Sequence, residues 1–210
     1  MSANNKNQNL TNLASPKIGT KVIEVSDDFF GKASRMLNDK EPVFIEDKYD
    51  DHGKWMDGWE SKRRRDGGND WAIIKLGSPG IITEINVDTS FFTGNFPPFA
   101  SIEGLYSDEK PNKNSKWVEI LPKSPLKGDS SNKFIINLKI KVSYIRLQIF
   151  PDGGVARLRL FGEVKLDWNF YENKKDLIEL SSLKLGGSIV AYNNAHYGDV
   201  SALLSDGRGK

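Results

Sequence analysis

Residues 13–39 return without a gap as residues 180–206, 167 positions further along the chain. Leu10/Leu177, Leu13/Leu180, Ser15/Ser182, Lys17/Lys184, Gly19/Gly186, Gly31/Gly198, Ser34/Ser201, Leu37/Leu204 and Asp39/Asp206 are identical pairs. Val22/Ile189, Ile23/Val190 and Phe30/Tyr197 keep their character. A period this long belongs to a whole domain, which excludes a solenoid of small units and predicts tandem duplication. The second copy reaches Lys210, level with Pro42 or Val43 of the first. The expected organisation is a flexible lead-in over 1–12, a first repeat over 13–166 and a linker over 167–176. An incomplete start of a second repeat follows over 177–210, and the chain is read as a truncated form of something longer.

Thirty Lys and Arg stand against 28 Asp and Glu, a net charge of +2, so no strong global field favours nucleic acid or an anionic membrane. Cysteine is absent, which removes disulfides and thiolate chemistry and fits a reducing compartment. No apolar run approaches the roughly 18 residues of a membrane span, and the N-terminal MSANNKNQNLTN has no apolar signal core. The expected location is the cytoplasm.

Strand signals dominate the middle of the chain. WAIIKLG (71–77), IITEINVDTSFF (81–92), FASIEGLYS (99–107), KWVEILP (116–122), KFIINL (133–138), VSYIRLQIFP (142–151) and ARLRLFGEV (156–164) alternate apolar and polar residues or are rich in β-branched and aromatic ones. Breakers separate them, among them Ser78-Pro79-Gly80, Asn95 to Pro98 and Asp152-Gly153-Gly154. About seven short strands with little helical period predict an all-β fold, an antiparallel jelly-roll β-sandwich. Helix is expected only as a turn or two over Asp28–Leu37, and DWNFYENKKD (167–176) suits a linker.

Three segments carry chemistry. WMDGWESKRRRDGGNDW (55–71) packs three Trp, four acids and four consecutive basic residues into 17 positions. It reads as a loop presenting carboxylates and guanidinium groups to an anionic, urea-like or amide-rich ligand, or as a surface loop pinned by Trp55 and Trp59. VDTSFFTGNFPPFASIEG (87–104) places Asp88, hydroxyls and Asn95 beside Phe91, Phe92 and Phe96, either as a pocket rim or as core aromatics with a turn cap. FPDGGVARLRLFGEV (150–164) reads as a type I or II turn followed by a strand with Arg157 and Arg159 on one face. A buried face would require acid partners for both arginines, whereas an outer face would be polar and solvated. His52 and His196 are the two histidines, too far apart to signal a metal site. GxGxxG, P-loop and G-x-S-x-G strings are absent, which weakens nucleotide and serine-hydrolase readings.

In the order DGWESKRRRDGGNDWAIIKLG, INVDTSFFTGNFPPFASIEG, KWVEILPKSPLKG and FPDGGVARLRLFGEV, the chain resembles the allantoicase repeat. LKLGGSIVAYNNAHYGDVSALLSDGRGK is similar to the start of that family's second repeat. The resemblance covers Leu13 to Lys210 and implies two tandem jelly-roll domains of the galactose-binding-like type, the second only begun here. It also implies hydrolysis of allantoate to ureidoglycolate and urea, a nitrogen-recovering step of allantoin and purine degradation. Allantoate carries one carboxylate and two ureido groups on one carbon. Its site calls for Arg on the carboxylate, an acid to protonate the departing urea nitrogen, and a second acid or an imidazole to activate water. The matching candidates are Asp57, Glu60, Asp88 and His196 for catalysis and Arg63, Arg64, Asn95 and Arg157 for substrate binding. Roles within that set stay open. No cofactor is evident and a divalent metal is compatible with the chemistry. The expected partners are the small-molecule substrate and further copies of the chain in a homo-oligomer, with neither nucleic acid nor membrane. The alternative is a non-catalytic jelly-roll module for carbohydrate or another small ligand, or an inactive truncated relative.

Overall fold

One strand organises the fold. The computed structural model describes residues 10–172, 177–196, 198 and 200–206. Among these the strands are β1 (Thr11–Asn12), β2 (Lys21–Val25), β3 (Tyr49–Asp50), β4 (Gly53–Lys54), β5 (Trp59–Glu60) and β6 (Asp70–Asp88). They continue as β7 (Phe99–Leu105), β8 (Val118–Pro125), β9 (Ser131–Ile135), β10 (Val142–Phe150), β11 (Gly154–Val155) and β12 (Arg157–Val164). The first half of β6 lies between β2 and β10, where Ile74 faces Val22 on one side and Ile145 on the other. Its second half lies between β12 and β9, where Ile85 faces Leu160 and Phe134. β7 and β8 widen the first layer and β1 the second, and every pairing is antiparallel. Two layers that share one long strand make the expected jelly-roll sandwich.

The Ser78-Pro79-Gly80 break is corrected by this arrangement, because β6 runs straight through it. Gly80 is the Cα partner of both Val142 and Val164, so the strand passes from one layer to the other at this point. A proline without an N–H is tolerated where a ladder changes partners, and the Pro79 carbonyl still accepts from Lys165 N at 2.8 Å. A bulge then preserves the inward face. Ala72, Ile74, Leu76 and Ile82 point into the core at even positions, and Ile85 and Val87 at odd ones. The register shifts between them, opposite Phe161 and Gly162. One extra residue re-aims every later side chain, which is what a bulge does in a half-buried strand.

The opening segment closes the core. Leu13, Ile18, Met36 and Leu37 are all buried. The local turn over Ala33–Leu37 is a 3-10 helix rather than an α-helix. Local geometry recurs at the 167-residue spacing. The 3-10 turns Pro16–Ile18 and Leu183–Leu185 are each preceded by an extended serine and followed by a left-handed glycine, Gly19 at φ 94° and Gly186 at φ 91°. The turns Ala33–Leu37 and Val200–Leu204 correspond in the same way. Burial does not recur: Leu13 and Met36 are fully covered, whereas Leu180 and Leu203 are 69% and 83% exposed. The later segment is tied to β6 by Ser78 Oγ, which donates to the Lys184 carbonyl at 2.7 Å. No helix among the described residues is long and apolar enough to cross a membrane.

The first opening turn crosses β6 so closely at Gly77 that a Cβ there would sit 1.9 Å from the Ile18 carbonyl oxygen. Gly77→Ala is expected to cost about 1–3 kcal/mol through overpacking. That corresponds to roughly 2–4 °C of melting temperature per kcal/mol for a chain of this size. Gly94→Ala, where a Cβ meets nothing within 4 Å, is expected to melt with the wild type. Thermal denaturation followed by circular dichroism checks both.

Candidate functional site

A cleft of about 640 Å³ opens at the end of the sandwich where β5 and β11 form a short ribbon. Glu60, Asn95, His52, Lys54, Phe44 and Phe91 line it. Glu60 is placed from both sides. Its backbone exchanges two 3.0 Å hydrogen bonds with Gly31, and it pairs across the ribbon with Gly154. The 87–98 loop reaches the same point because Gly154 N donates to the Asn95 carbonyl at 2.7 Å. Gly154 also packs so tightly on Phe92 that a Cβ would lie 2.0 Å from the ring. The PDGG turn thus has a positional role.

Asn95 Nδ2 donates to Glu60 Oε1 at 2.6 Å. Burial pushes the Glu60 carboxyl above its usual range, Asn95 pulls it part of the way back, and the nearby Asp50 charge adds to the rise. A half-buried carboxyl that holds its proton more tightly than a solvated one suits a proton donor.

Arg157 has no exposed surface. Its Nη2 donates to Asp57 Oδ2 at 2.6 Å, its Nη1 to the carbonyls of Asp57 at 2.8 Å and Ala156 at 2.7 Å, and its Nε to the Lys40 carbonyl at 2.8 Å. Asp57 Oδ2 also accepts from Val43 N at 3.0 Å. On the same strand face Arg159 pairs with Glu41 at 3.1 Å. Of the two readings left open for this arginine face, the buried one with an acid partner holds at Arg157, whereas Arg159 is partly exposed and its partner Glu41 is exposed. Asp88 is the register partner of Arg157, so both stand at one end of the sandwich. Asp88 is buried, and its Oδ1 accepts from Ser90 N at 2.8 Å as a turn cap.

The basic run points elsewhere. Arg64 grips Asp66 through Nη2 at 2.6 Å and Nε at 3.0 Å, and Asp70 through Nη1 at 2.8 Å. Those two carboxylates, Asp66 first, hold the guanidinium above its ordinary value. Asp66, facing Arg64 and then Gly68 N, is held well below the carboxylate range. Arg63 is exposed and lies with Arg64 in a separate shallow groove. His196 is exposed, on the later segment and outside the cleft lining. The structure therefore joins Glu60 to Asn95 directly, sets the Asp57–Arg157 pair and Asp88 behind them, and leaves Arg63, Arg64 and His196 apart. Sequence reasoning missed His52, Lys54 and Phe44, and took Phe91 only as an aromatic beside a polar cluster. Tyr49–Asp50 and Gly53–Lys54 form the β3–β4 hairpin that brings His52 and Lys54 to the cleft, and its short exposed strands carry no alternation that would have marked it. Among the described residues no group of three or more His, Asp or Glu side chains is placed to hold a metal ion.

The sandwich, with its cleft at one end, has the galactose-binding-like jelly-roll fold. Carbohydrate-binding module CBM32-3 from a family 31 glycoside hydrolase of Clostridium perfringens superposes with a TM-score of 0.52 at 12% identity, covering 77% of this chain and 100% of that one, a likeness of fold alone. The sequence profile of the allantoicase repeat matches residues 11–165. Probable allantoicase 1 of Burkholderia mallei is 48% identical over 199 residues, covering 94% of this chain and 59% of that protein. Probable allantoicase of Acinetobacter baylyi is 46% identical over 200 residues, covering 95% and 59% respectively. The crystal structure of allantoicase from Saccharomyces cerevisiae superposes with a TM-score of 0.81 at 31% identity, covering 98% of this chain and 61% of that one. This chain belongs to the allantoicase family. It spans about three fifths of the length of the curated relatives it matches.

Removing one partner of a buried ion pair strands the other charge. Arg157→Ala is expected to cost about 3–5 kcal/mol. Arg63→Ala, at an exposed position, is expected to stay within about 0.5 kcal/mol of wild type. Urea denaturation of the two variants measures both.

Proposed function

We propose that this chain carries the allantoicase reaction, hydrolysis of allantoate to ureidoglycolate and urea, and that the Glu60–Asn95 cleft is its site. The supporting observation is the half-buried Glu60 carboxyl, raised by burial and oriented by Asn95 within an allantoicase repeat. The protonated Glu60 gives its proton to the departing ureido nitrogen as the carbon–nitrogen bond breaks, so urea leaves neutral. The lone pair of the remaining ureido nitrogen supplies the electrons that the central carbon loses. Water then adds to that carbon and passes its proton to the Glu60 carboxylate, which restores the acid and yields ureidoglycolate. His52 lines the same cleft, and Lys54 is the cation on its wall suited to the substrate carboxylate.

In this reading Asp57 and Arg157 are positioning residues, because Arg157 is closed to solvent. Asp88 supports the loop that carries Asn95, while Arg63, Arg64 and His196 act outside the first contact with substrate. The division into a repeat over 13–166, a linker over 167–176 and a second opening over 177–210 is kept as part of the proposal. It is supported by the repeated turn geometry; 1–9 of the expected lead-in, 173–176, 197, 199 and 207–210 lie outside the described residues. Thr11–Asn12, expected within the flexible lead-in, is instead β1 paired with β12. Self-association is supported by the exposed Leu177, Leu180 and Leu203, and sedimentation equilibrium tests it. A cytoplasmic setting is supported by the cysteine-free composition.

The experiment is urea release from allantoate by the purified chain. Glu60→Gln is expected to lower kcat by about 10²–10⁴-fold with the fold retained, and an unchanged kcat removes Glu60 from the role of acid. The sign of the pH effect follows from the raised carboxyl. Between the ordinary glutamate value and the higher folded one, the folded chain binds more protons than the unfolded chain, so rising pH lowers stability through this window. Activity that needs the protonated form falls over the same rise. Glu60→Gln is therefore expected to melt higher than wild type at neutral pH and to lose this part of the pH dependence.

A further inference from the structure

We propose that the paired rings of Phe44 and Phe91 form a specificity wall of the cleft, taking the flat face of a planar ureido group whose polar edge meets Glu60 and Asn95. The assignment of the ureido class rests on the function proposed above; the wall itself rests on geometry. The two rings stack with centroids 5.7 Å apart and planes 26° from parallel. Both remain substantially open to solvent, Phe44 at 43% and Phe91 at 39%. Two large aromatic surfaces have thus been brought together without being covered, at the rim that also carries Glu60 and Asn95.

Two separate devices hold the pair there. Phe91 has φ 68°, and Asp129 has φ 46°; they are the two non-glycine residues at positive φ among the described residues, and both line this cleft. The Asp129 carboxylate accepts from Phe91 N at 2.7 Å, so each of these backbones is fixed with the other. Thr89 Oγ1 clips the same two loops together by donating to the Lys127 carbonyl at 2.6 Å. A bulky side chain in the left-handed region persists only where its surroundings over-determine it, and such positions cluster at ligand clamps. Phe44 is secured from the opposite direction. Its neighbour Val43 donates to Asp57, whose carboxylate is held by buried Arg157, and Arg157 also binds the Lys40 carbonyl. Lys54 lies over the Phe44 ring at 4.5 Å and sets a cation beside the apolar face.

This combination matches one ligand chemistry. An aromatic face attracts a planar, conjugated amide by stacking. The free acceptor of Asn95 suits its N–H edge, the protonated second oxygen of Glu60 can donate to the group, and Lys54 suits a carboxylate one or two bonds away. The test uses hydantoate, which has one ureido group and one carboxylate and lacks the second ureido group that would leave. Its binding therefore reports the wall without the chemistry. Calorimetry on the full chain is expected to show hydantoate binding that falls about tenfold in Phe44→Ala and in Phe91→Leu. Phe91→Tyr, which keeps the ring, is expected to stay within about threefold of wild type. Phe91→Gly relieves the left-handed strain and is expected to keep its melting temperature within about 4 °C of wild type while losing binding as Phe44→Ala does. Wild-type binding that Phe44→Ala and Phe91→Leu leave undiminished overturns the wall, as does a wild type that binds galactose and not hydantoate, or neither. Ring-dependent hydantoate binding in a chain that never releases urea from allantoate upholds the wall and removes the proposed function.

Discussion

A guanidinium group with no solvent contact is among the most demanding features a fold can contain, because its desolvation is repaid only by fixed acceptors in good geometry. At Arg157 those acceptors come from segments far apart in sequence: the Lys40 and Asp57 carbonyls, the Asp57 carboxylate and the adjacent Ala156 carbonyl. None of them alone would compensate the charge. Their convergence makes the opening segment, the Asp57 loop and β12 a single unit. The cleft is a consequence, since Asp57 passes the constraint to Val43 and Glu60 follows three residues later on β5.

β6 supplies the second constraint. A strand that belongs to both layers couples them mechanically, and its bulge keeps apolar side chains inward across the change of partner. The end of β6 at Asp88 stands opposite Arg157, so the loop that begins there and carries Phe91 and Asn95 starts beside the buried ion pair. Asp88 then turns the chain by accepting from Ser90 N rather than by reaching a ligand. The polar residues at this end differ in burial: Arg157 and Asp88 are enclosed, Asp57 and Glu60 are partly covered, and Asn95, His52 and Lys54 are exposed at the rim.

Much of the fold was legible in the sequence because strand periodicity is a local signal. The alternation of Leu158 and Leu160 against Arg157 and Arg159 marks two faces, one of them core and the other running from buried Arg157 to partly exposed Arg159. Pro79 misled because a proline reads as a break unless one knows that a strand changes partners there. The cluster from Trp55 to Trp71 was rightly conspicuous but is not one site. Trp59 is core, Asp57 is bound to Arg157, Glu60 faces the cleft, and Arg64 closes its own loop onto Asp66 and Asp70. Charge density marked the segment without telling which charge answers which, since the partners lie up to 100 residues away. His52 and Lys54 escaped because an exposed two-residue hairpin leaves little periodicity to read.

Several locally unfavourable features gather around a single cavity. Glu60 keeps a carboxyl where burial raises its proton affinity, Phe91 and Asp129 hold backbone conformations that side chains disfavour, and the Phe44–Phe91 pair leaves aromatic surface wet. Each would be relieved by a simple substitution, to an amide, a glycine or a polar residue, with no loss to the core. Natural sequences agree with their folds at most positions and depart from that agreement where activity requires it. Departures of different physical kinds, electrostatic, conformational and hydrophobic, share no common structural cause in the sandwich. What they share is the cleft, and a ligand that needs a proton donor, a flat apolar face and a neighbouring cation accounts for all of them together.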